Sequence, residues 1–186
     1  MGARLFTAVL PPEPVVADLG RHLEPRREAG IEYWRWTRPE GWHLTTAFMA
    51  SVSDTALDLL VENLAGAMAR SSPFDVGVAG ALCFPNPARA RVLAMSVEEG
   101  HEQLAALATS CRGAATRAGA SPDGSRFRGH LTLARARRPF DATKWFHVVD
   151  SFPGWTWRVT EVALVQSHMA DPGNRYEVLE RFPLGA

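Results

Sequence analysis

The most constraining feature of this sequence is a tripeptide, His-Leu-Thr, that occurs twice. One copy occupies residues 43–45 and the other residues 130–132, 87 positions further along a chain of 186 residues. The first copy lies in a short segment rich in Thr and aromatic residues, 42–49, and the second lies in the short segment 129–134; both segments are predicted to be β-strands. For this composition, two such copies arise by chance with a probability of roughly one per cent. We therefore expect two related halves, each contributing one strand of this kind.

The spacing within each motif has a structural meaning. Residues two apart in a β-strand face the same side of the sheet. His43 therefore shares a face with Thr45, while Leu44 points into a core. His130 and Thr132 repeat this arrangement, so a twofold axis between the strands would present two imidazoles and two hydroxyls to one cleft. The alternative is that each histidine is only a hydrogen-bonded residue of a partly buried strand.

Strand-like and helix-like segments follow one another along the chain without strict βαβ repetition, which predicts an α+β fold with largely antiparallel sheets. No linker divides the chain, so we expect a single domain over residues 1–186. Asp54 is expected to cap the second helix. Turn residues predict hairpins at 85–87 and 171–174. The predicted strands are 5–10, 42–49, 74–84, 91–97, 129–134, 156–169 and 175–184, and the predicted helices are 14–28, 54–70, 98–118 and 141–152.

Composition limits the partners and the compartment. The 20 basic and 20 acidic residues give zero formal net charge, which excludes a strongly basic nucleic-acid coat but allows a local arginine cluster. No apolar run approaches the roughly 20 residues of a membrane helix, and the N-terminus lacks a signal-peptide core. Cys83 and Cys111 are too few for a disulfide framework. We therefore expect a cytoplasmic protein without membrane association and with both cysteines in the core.

Paired acid–base catalysis is the chemistry that best fits two histidines and two threonines. A zinc site usually needs three or four protein ligands, and neither an HExxH nor a GxSxG motif is present. Imidazole titrates near pH 6.5, so one histidine can act as a base while the other acts as an acid. In-line displacement at phosphorus needs both, and threonine hydroxyls can donate to the phosphoryl oxygens. We expect no metal and no cofactor.

Four stretches of the chain carry a resemblance that extends beyond the two motifs. They are RLFTAVLPP at 4–12, WRWTRPEGWHLTTAF at 34–48, FRGHLTLAR at 127–135 and VALVQSHMADPGNRYEVL at 162–179. The chain resembles the two-histidine (2H) phosphoesterases, and among them the bacterial and archaeal RNA 2′,3′-cyclic phosphodiesterases, also called 2′-5′ RNA ligases (LigT-like). This resemblance implies a two-lobed, pseudo-twofold fold. Two mainly antiparallel sheets would flank a central cleft, with helices on the outer faces.

The same resemblance implies metal-independent hydrolysis of a 2′,3′-cyclic phosphate at an RNA end or on a nucleotide. The P–O3′ bond would break and a 2′-phosphate would remain, with His43 as the general acid and His130 as the base. Pseudo-symmetry leaves these two roles nearly interchangeable. Thr45 and Thr132 would steady the phosphoryl oxygens. Reversible 2′-5′ RNA ligation and a non-catalytic nucleotide- or RNA-binding module are the alternatives, and with no obligate protein partner implied we expect a monomer.

Arg135 lies five positions after His130, where the family also places an arginine. A guanidinium there could bind the phosphate bidentately. In a straight strand, however, an odd offset directs Arg135 away from the His130 face unless a bulge intervenes, so phosphate contact and a surface role both stay open. Arg126 and Arg128 precede the motif and could guide an RNA phosphate, although solvated loop charge is the simpler interpretation.

The chain departs from the family pattern at two positions beside the motifs. Thr46 stands where the family usually has Leu, and it is expected to face the core. Gly129 stands where the family often has Pro, directly before the second histidine. Trp42, beside the first histidine, could form a wall of the cleft. Packing or structural support is expected for the other flanking residues, namely Trp34, Trp36, Phe48, Ser167, His168 and Tyr176.

Overall fold

Strands and helices alternate irregularly along the chain, as the sequence pattern predicts. The computed structural model describes residues 2–170 and 173–185. The helices of this part are α1 (Glu13–Ala29), α2 (Asp54–Met68), α3 (His101–Arg117) and α4 (Thr143–Asp150). Its strands are β1 (Ala3–Val9), β2 (Trp34–Trp36), β3 (Leu44–Val52), β4 (Phe74–Phe84), β5 (Ala90–Glu99), β6 (His130–Phe140), β7 (Trp155–Val159), β8 (Glu161–Ala170) and β9 (Gly173–Pro183).

The strands form one sheet made of two halves, and the pairings described are antiparallel. The strand order is β7-β4-β5-β6-β3-β1-β8-β9, with β2 added against β6. We call β1, β3, β8 and β9 lobe A, and β2, β4, β5, β6 and β7 lobe B. The lobes meet where β3 and β6 form one residue pair, Leu44 opposite Leu131. The predicted α+β fold is confirmed, and this pair joins the two expected sheets into one.

The helices cover one face of both lobes and bury the main core beneath it. Apolar residues of all four helices pack there with buried strand residues such as Leu93 and Leu131. A second, smaller apolar cluster has no helical member among the described residues. Alternate strand residues point to opposite faces, so this cluster lies on the other face of the lobe A sheet, which we call the cleft face. Its buried members are Phe6, Ala8, Ala163 and Val165.

The segment 156–169 was expected to be a single strand, and this prediction is wrong. The chain leaves the sheet at Thr160, which is exposed and separates β7 from β8. Strand β7 pairs with β4 in lobe B, whereas β8 pairs with β1 and β9 in lobe A. The chain therefore crosses between the lobes at this residue, because the two strands need different partners.

Four smaller expectations meet the structure as follows. Helix α2 is capped by Ser53 and not by Asp54, because the Ser53 hydroxyl accepts a hydrogen bond from the Ala56 amide at 3.3 Å. Cys83 and Cys111 are both buried, as predicted. The tip of the hairpin expected at 171–174 falls partly on residues 171 and 172, outside the described residues. No helix in the described ranges is long and apolar enough to cross a membrane.

Candidate active site

The two His-Leu-Thr motifs come together where the two lobes join. Leu44 and Leu131 form the antiparallel pair between β3 and β6, and both are fully buried in the main core. In this register each histidine lies across from the threonine of the other motif, with directly opposite Cβ atoms typically about 4.5–5.5 Å apart. The four flanking side chains point away from the core onto the cleft face, and we call them the quartet: His43, Thr45, His130 and Thr132.

Both imidazoles are held in the same orientation by the same hydrogen bond. Nδ1 of His43 lies 2.7 Å from the Gly41 carbonyl oxygen, and Nδ1 of His130 lies 2.7 Å from the Arg128 carbonyl oxygen. A carbonyl oxygen can only accept, so each Nδ1 carries the proton and donates it. Nε2 of each neutral ring is therefore the nitrogen that can take up a proton, which is the arrangement that acid–base chemistry requires.

A β-bulge in β6 decides which way Arg135 faces. Opposite β5, Thr132 pairs with Ala94 and Ala134 pairs with Leu93, so Leu133 has no cross-strand partner. One extra residue reverses the alternation of a strand. Leu133 and Ala134 are consequently both buried, and Arg135 is exposed on the same face as Thr132. Because of the bulge, Arg135 lies on the same face as the quartet despite its odd spacing from His130.

Strand β3 carries the same irregularity at the equivalent position. Its ladder with β1 pairs Ala8 with Thr45 and Thr7 with Ala47, and so skips position 46. Phe48 is thereby brought onto the cleft face, where it packs partly buried against the smaller cluster rather than within the main core. The Arg4 guanidinium lies over its ring, 4.6 Å from the centroid. Phe48 thus occupies in lobe A the place that the bulge gives to arginine in lobe B.

Burial lowers the pKa of both imidazoles. For His43 the pKa falls from 6.5 to about 4, mainly through loss of solvent, and the bond to the Gly41 carbonyl opposes the fall. The charge of His130, when that ring is protonated, and the charge of Arg135 lower it further. Burial is also the main cause of the lowered pKa of His130, opposed by the Arg128 carbonyl and assisted by the Arg135 charge. Both rings are therefore neutral near pH 7 in the ligand-free protein.

Aromatic rings line the quartet on both lobes. Phe6 stacks on His43 with ring centroids 4.6 Å apart, and Tyr176 meets the same imidazole edge-on at 5.4 Å. In lobe B, Phe84 meets His130 at 5.0 Å. Tyr176 was expected only to support the fold, and it is instead a neighbour of an imidazole. Nothing in the sequence pattern singles out Phe6 or Phe84, because their places depend on strand pairing.

The two departures from the family pattern have physical explanations in the core. Thr46 is buried, as predicted, and its hydroxyl lies 2.7 Å from the hydroxyl of Thr7. This bond satisfies a polar group that leucine would not have. Gly129 is buried as well, and a Cβ there would lie 3.1 Å from side-chain atoms of Leu104 and Val97. Close packing around β6 therefore accounts for the glycine.

The tryptophans before the first motif belong to the main core. Trp34 and Trp42 are 1% and 2% exposed, so Trp42 does not form a wall of the cleft. Trp36 is half-buried and packs against the same core. Ser167 is buried, and its hydroxyl has no hydrogen-bond partner among the described residues. Arg126 is exposed in the loop before β6.

The donor set of the site consists of nitrogen and hydroxyl groups. In the part of the chain that the structure describes, no three His, Cys, Asp or Glu side chains group closely enough to hold a metal ion. His43 and His130 alone supply one ligand fewer than the three protein ligands of a typical catalytic zinc site. What the quartet offers a ligand is two proton-transfer groups beside two hydroxyl donors.

Comparison with known proteins finds relatives along almost the whole chain. A family model described as the 2′-5′ RNA ligase superfamily matches residues 15–171. An RNA 2′,3′-cyclic phosphodiesterase of Thermus thermophilus is 32% identical over 195 residues, covering 97% of this chain and 90% of the relative. Another, from Aquifex aeolicus, is 26% identical over 155 residues, covering 81% of this chain and 82% of the relative. A crystal structure of E. coli LigT complexed with 3′-AMP aligns with a TM-score of 0.77 at 25% identity and covers 99% of each chain. On this evidence the chain belongs to the 2′-5′ RNA ligase superfamily, the two-histidine phosphoesterases.

Proposed function

We propose that this protein hydrolyses 2′,3′-cyclic phosphates at RNA ends or on nucleotides and leaves a 2′-phosphate. The observation that carries the proposal is the matched pair of imidazoles, His43 and His130, each with Nδ1 bound to a backbone carbonyl and Nε2 able to exchange a proton. The relatives named RNA 2′,3′-cyclic phosphodiesterase support this substrate class. The E. coli LigT complex with 3′-AMP supports a nucleotide ligand for this fold.

In the proposed reaction the two histidines act on opposite sides of phosphorus. Nε2 of His130 takes a proton from a water molecule, whose oxygen forms the new bond to phosphorus. The P–O3′ bond breaks on the far side, and Nε2 of His43 gives its proton to the departing O3′ oxygen. The P–O2′ bond stays intact, so the product is a 2′-phosphate. The hydroxyls of Thr45 and Thr132 donate hydrogen bonds to the non-bridging oxygens, where negative charge grows.

Because burial lowers the pKa of His43, the bound substrate must favour protonation of this histidine before it can act as the acid. Burial holds His43 neutral in the ligand-free protein, so its role as acid requires a nearby negative charge that favours the imidazolium. The bound phosphate group supplies that charge, and both Arg135 and the imidazolium contact it. The base needs the opposite balance, which the lowered pKa of His130 already provides before substrate binds.

The test is turnover of a 2′,3′-cyclic nucleotide and of an RNA ending in a 2′,3′-cyclic phosphate, both in EDTA, with the 2′-phosphate product quantified. His43→Ala and His130→Ala should each lower kcat by about 10²-fold or more, because each removes a proton-transfer group. His101→Ala is the matched control, since His101 is exposed on α3 behind the sheet. Circular dichroism and thermal unfolding of each variant establish that it is folded.

Other results would contradict a part of the proposal or favour one of the alternative functions. Near-normal turnover in both histidine variants contradicts the mechanism. Activity that EDTA abolishes and zinc or manganese restores contradicts metal independence. Tight binding of both substrates without turnover favours the non-catalytic binding module. A 2′-5′-linked product, formed when an RNA with a free 5′-hydroxyl is added, reports ligation, the same chemistry with that hydroxyl in place of water.

A further inference from the structure

Two arginines lie directly opposite each other beside the quartet. Arg35 of β2 is the cross-strand partner of Arg135 of β6. The neighbours of Arg35 in its strand, Trp34 and Trp36, both pack into the main core. Alternation therefore puts the Arg35 side chain on the cleft face, together with Arg135, and both side chains are exposed. Arg135 already takes part in the chemistry proposed above, whereas Arg35 does not.

The pair of like charges is unfavourable unless something negative binds to it. Like charges directly opposite each other destabilise an antiparallel sheet. Within residues 2–170 and 173–185, neither Arg35 nor Arg135 takes part in a salt bridge. An anion between the two guanidinium groups removes the repulsion, and phosphate oxygens match their planar, bidentate donor geometry.

Arg135 lies close to the reacting groups, and Arg35 lies beside it. Arg135 comes three residues after Thr132, but the bulge shortens this to the two-residue advance from Ala94 to Val92 on β5, about 7 Å along the strand. Its positive charge also helps to lower the pKa of both imidazoles. Arg35 lies directly across from Arg135 on β2 and faces the same side of the sheet. Arg135 therefore borders the place of the reacting phosphate, and Arg35 extends the positive charge on this face.

We propose that Arg35 binds the phosphodiester on the 5′ side of the terminal nucleotide, while Arg135, directly opposite it, contacts the reacting cyclic phosphate. The cleft then takes an oligonucleotide end in preference to a mononucleotide. This inference rests on the proposed function, because it assigns the neighbour of the phosphate on which the histidines act. A mononucleotide 2′,3′-cyclic phosphate has no such second phosphate, so the contribution of Arg35 can be measured separately.

The experiment compares kcat/KM for a mononucleotide and a trinucleotide that share the same terminal base and 2′,3′-cyclic phosphate. The ratio of the two values defines the chain preference. We expect the wild-type ratio to exceed about tenfold and Arg35→Gln to lose most of it, which corresponds to one charge-assisted contact. Arg117→Gln is the matched control, because it removes the same charge from an exposed position in the last turn of α3.

Salt dependence separates a phosphate contact from a structural role. Loss of one contact to a single strand should reduce the slope of log kcat/KM against log salt for the trinucleotide by about 0.7. Arg35→Lys keeps the charge and should keep the slope, with part of the chain preference. If Arg35 had a purely structural role, Arg35→Gln would instead lower kcat/KM for both substrates together and leave the salt slope of the trinucleotide unchanged.

The proposal is overturned if the wild-type protein shows no chain preference, or if Arg35→Gln lowers kcat/KM equally for both substrates. If the wild-type protein turns over neither substrate, the proposed function fails and binding decides the inference. Fluorescence anisotropy then measures the affinity for a labelled trinucleotide with a 3′-phosphate. A loss of about tenfold in Arg35→Gln, absent from Arg117→Gln, supports the phosphate subsite. Equal affinity in both variants refutes it.

Discussion

Acidification should reveal the burial of His43 as a loss of folding stability. Its pKa is about 4 in the folded protein and 6.5 when burial is removed, so between these values the unfolded chain binds the extra proton. Stability therefore rises with pH across this window and falls on acidification. The full difference corresponds to about 3 kcal/mol, of which about 1 kcal/mol is lost between pH 7.5 and pH 5.5. The lowered pKa of His130 adds in the same direction.

Urea unfolding at pH 7.5 and pH 5.5, in buffers free of phosphate, measures this loss. His43→Gln has no imidazole at this position, so its stability should fall by about 1 kcal/mol less than that of the wild-type protein. His101→Gln, in an exposed position, controls for the removal of a histidine elsewhere. If His43→Gln and wild type show the same pH dependence, the imidazole is not held neutral by burial and the electrostatic reasoning fails.

Three other measurements test the site and its support. Thr45→Val and Thr132→Val should each cost about 1–4 kcal/mol of transition-state stabilisation, seen in kcat, whereas a change in thermal stability alone would make them packing residues. Thr46→Val or Thr7→Val should each cost about 1–3 kcal/mol in urea unfolding, with the double variant costing less than the sum, because the first change already breaks their buried bond. Binding of a 2′-phosphate nucleotide near pH 6.5 should take up about one proton through His43 and its partner imidazole, measured by calorimetry in two buffers. Equal observed binding heats in two buffers that differ in ionisation enthalpy would refute this uptake.

The cleft was predictable from the sequence because the face of a strand residue is a local property. A two-residue spacing within each motif puts His43 beside Thr45 wherever the strand lies, and repetition implies a second strand of the same kind. The side on which Arg135 lies was not predictable in this way. It depends on the unpaired Leu133, and a bulge exists only relative to the neighbouring strand, which comes from residues about 40 positions earlier.

The change of pairing partner at Thr160 could not be predicted from the sequence for the same reason, since it depends on neighbouring strands. Buried residues continue on both sides of this position, so the pattern resembles one long strand although the two parts pair in different lobes. Arg35 was overlooked because its significance lies in the residue opposite, and that pairing joins β2 to a strand 100 positions later. The single domain, the monomeric state and the cytoplasmic location stay predictions.

The two matching bulges give the cleft a direction. A quartet with twofold symmetry would accept a cyclic phosphate in two orientations related by the axis, and each histidine would then serve equally as acid and as base. The positions just after the bulges are not alike, because Phe48 stands in lobe A where Arg135 stands in lobe B. The lobe A end of the cleft thus carries an aromatic ring beneath the Arg4 guanidinium, whereas the lobe B end carries Arg135 itself. Under the proposed function, this difference would let the polarity of an RNA strand select one orientation. Under the proposed function, that selection would assign His43 as the acid and His130 as the base.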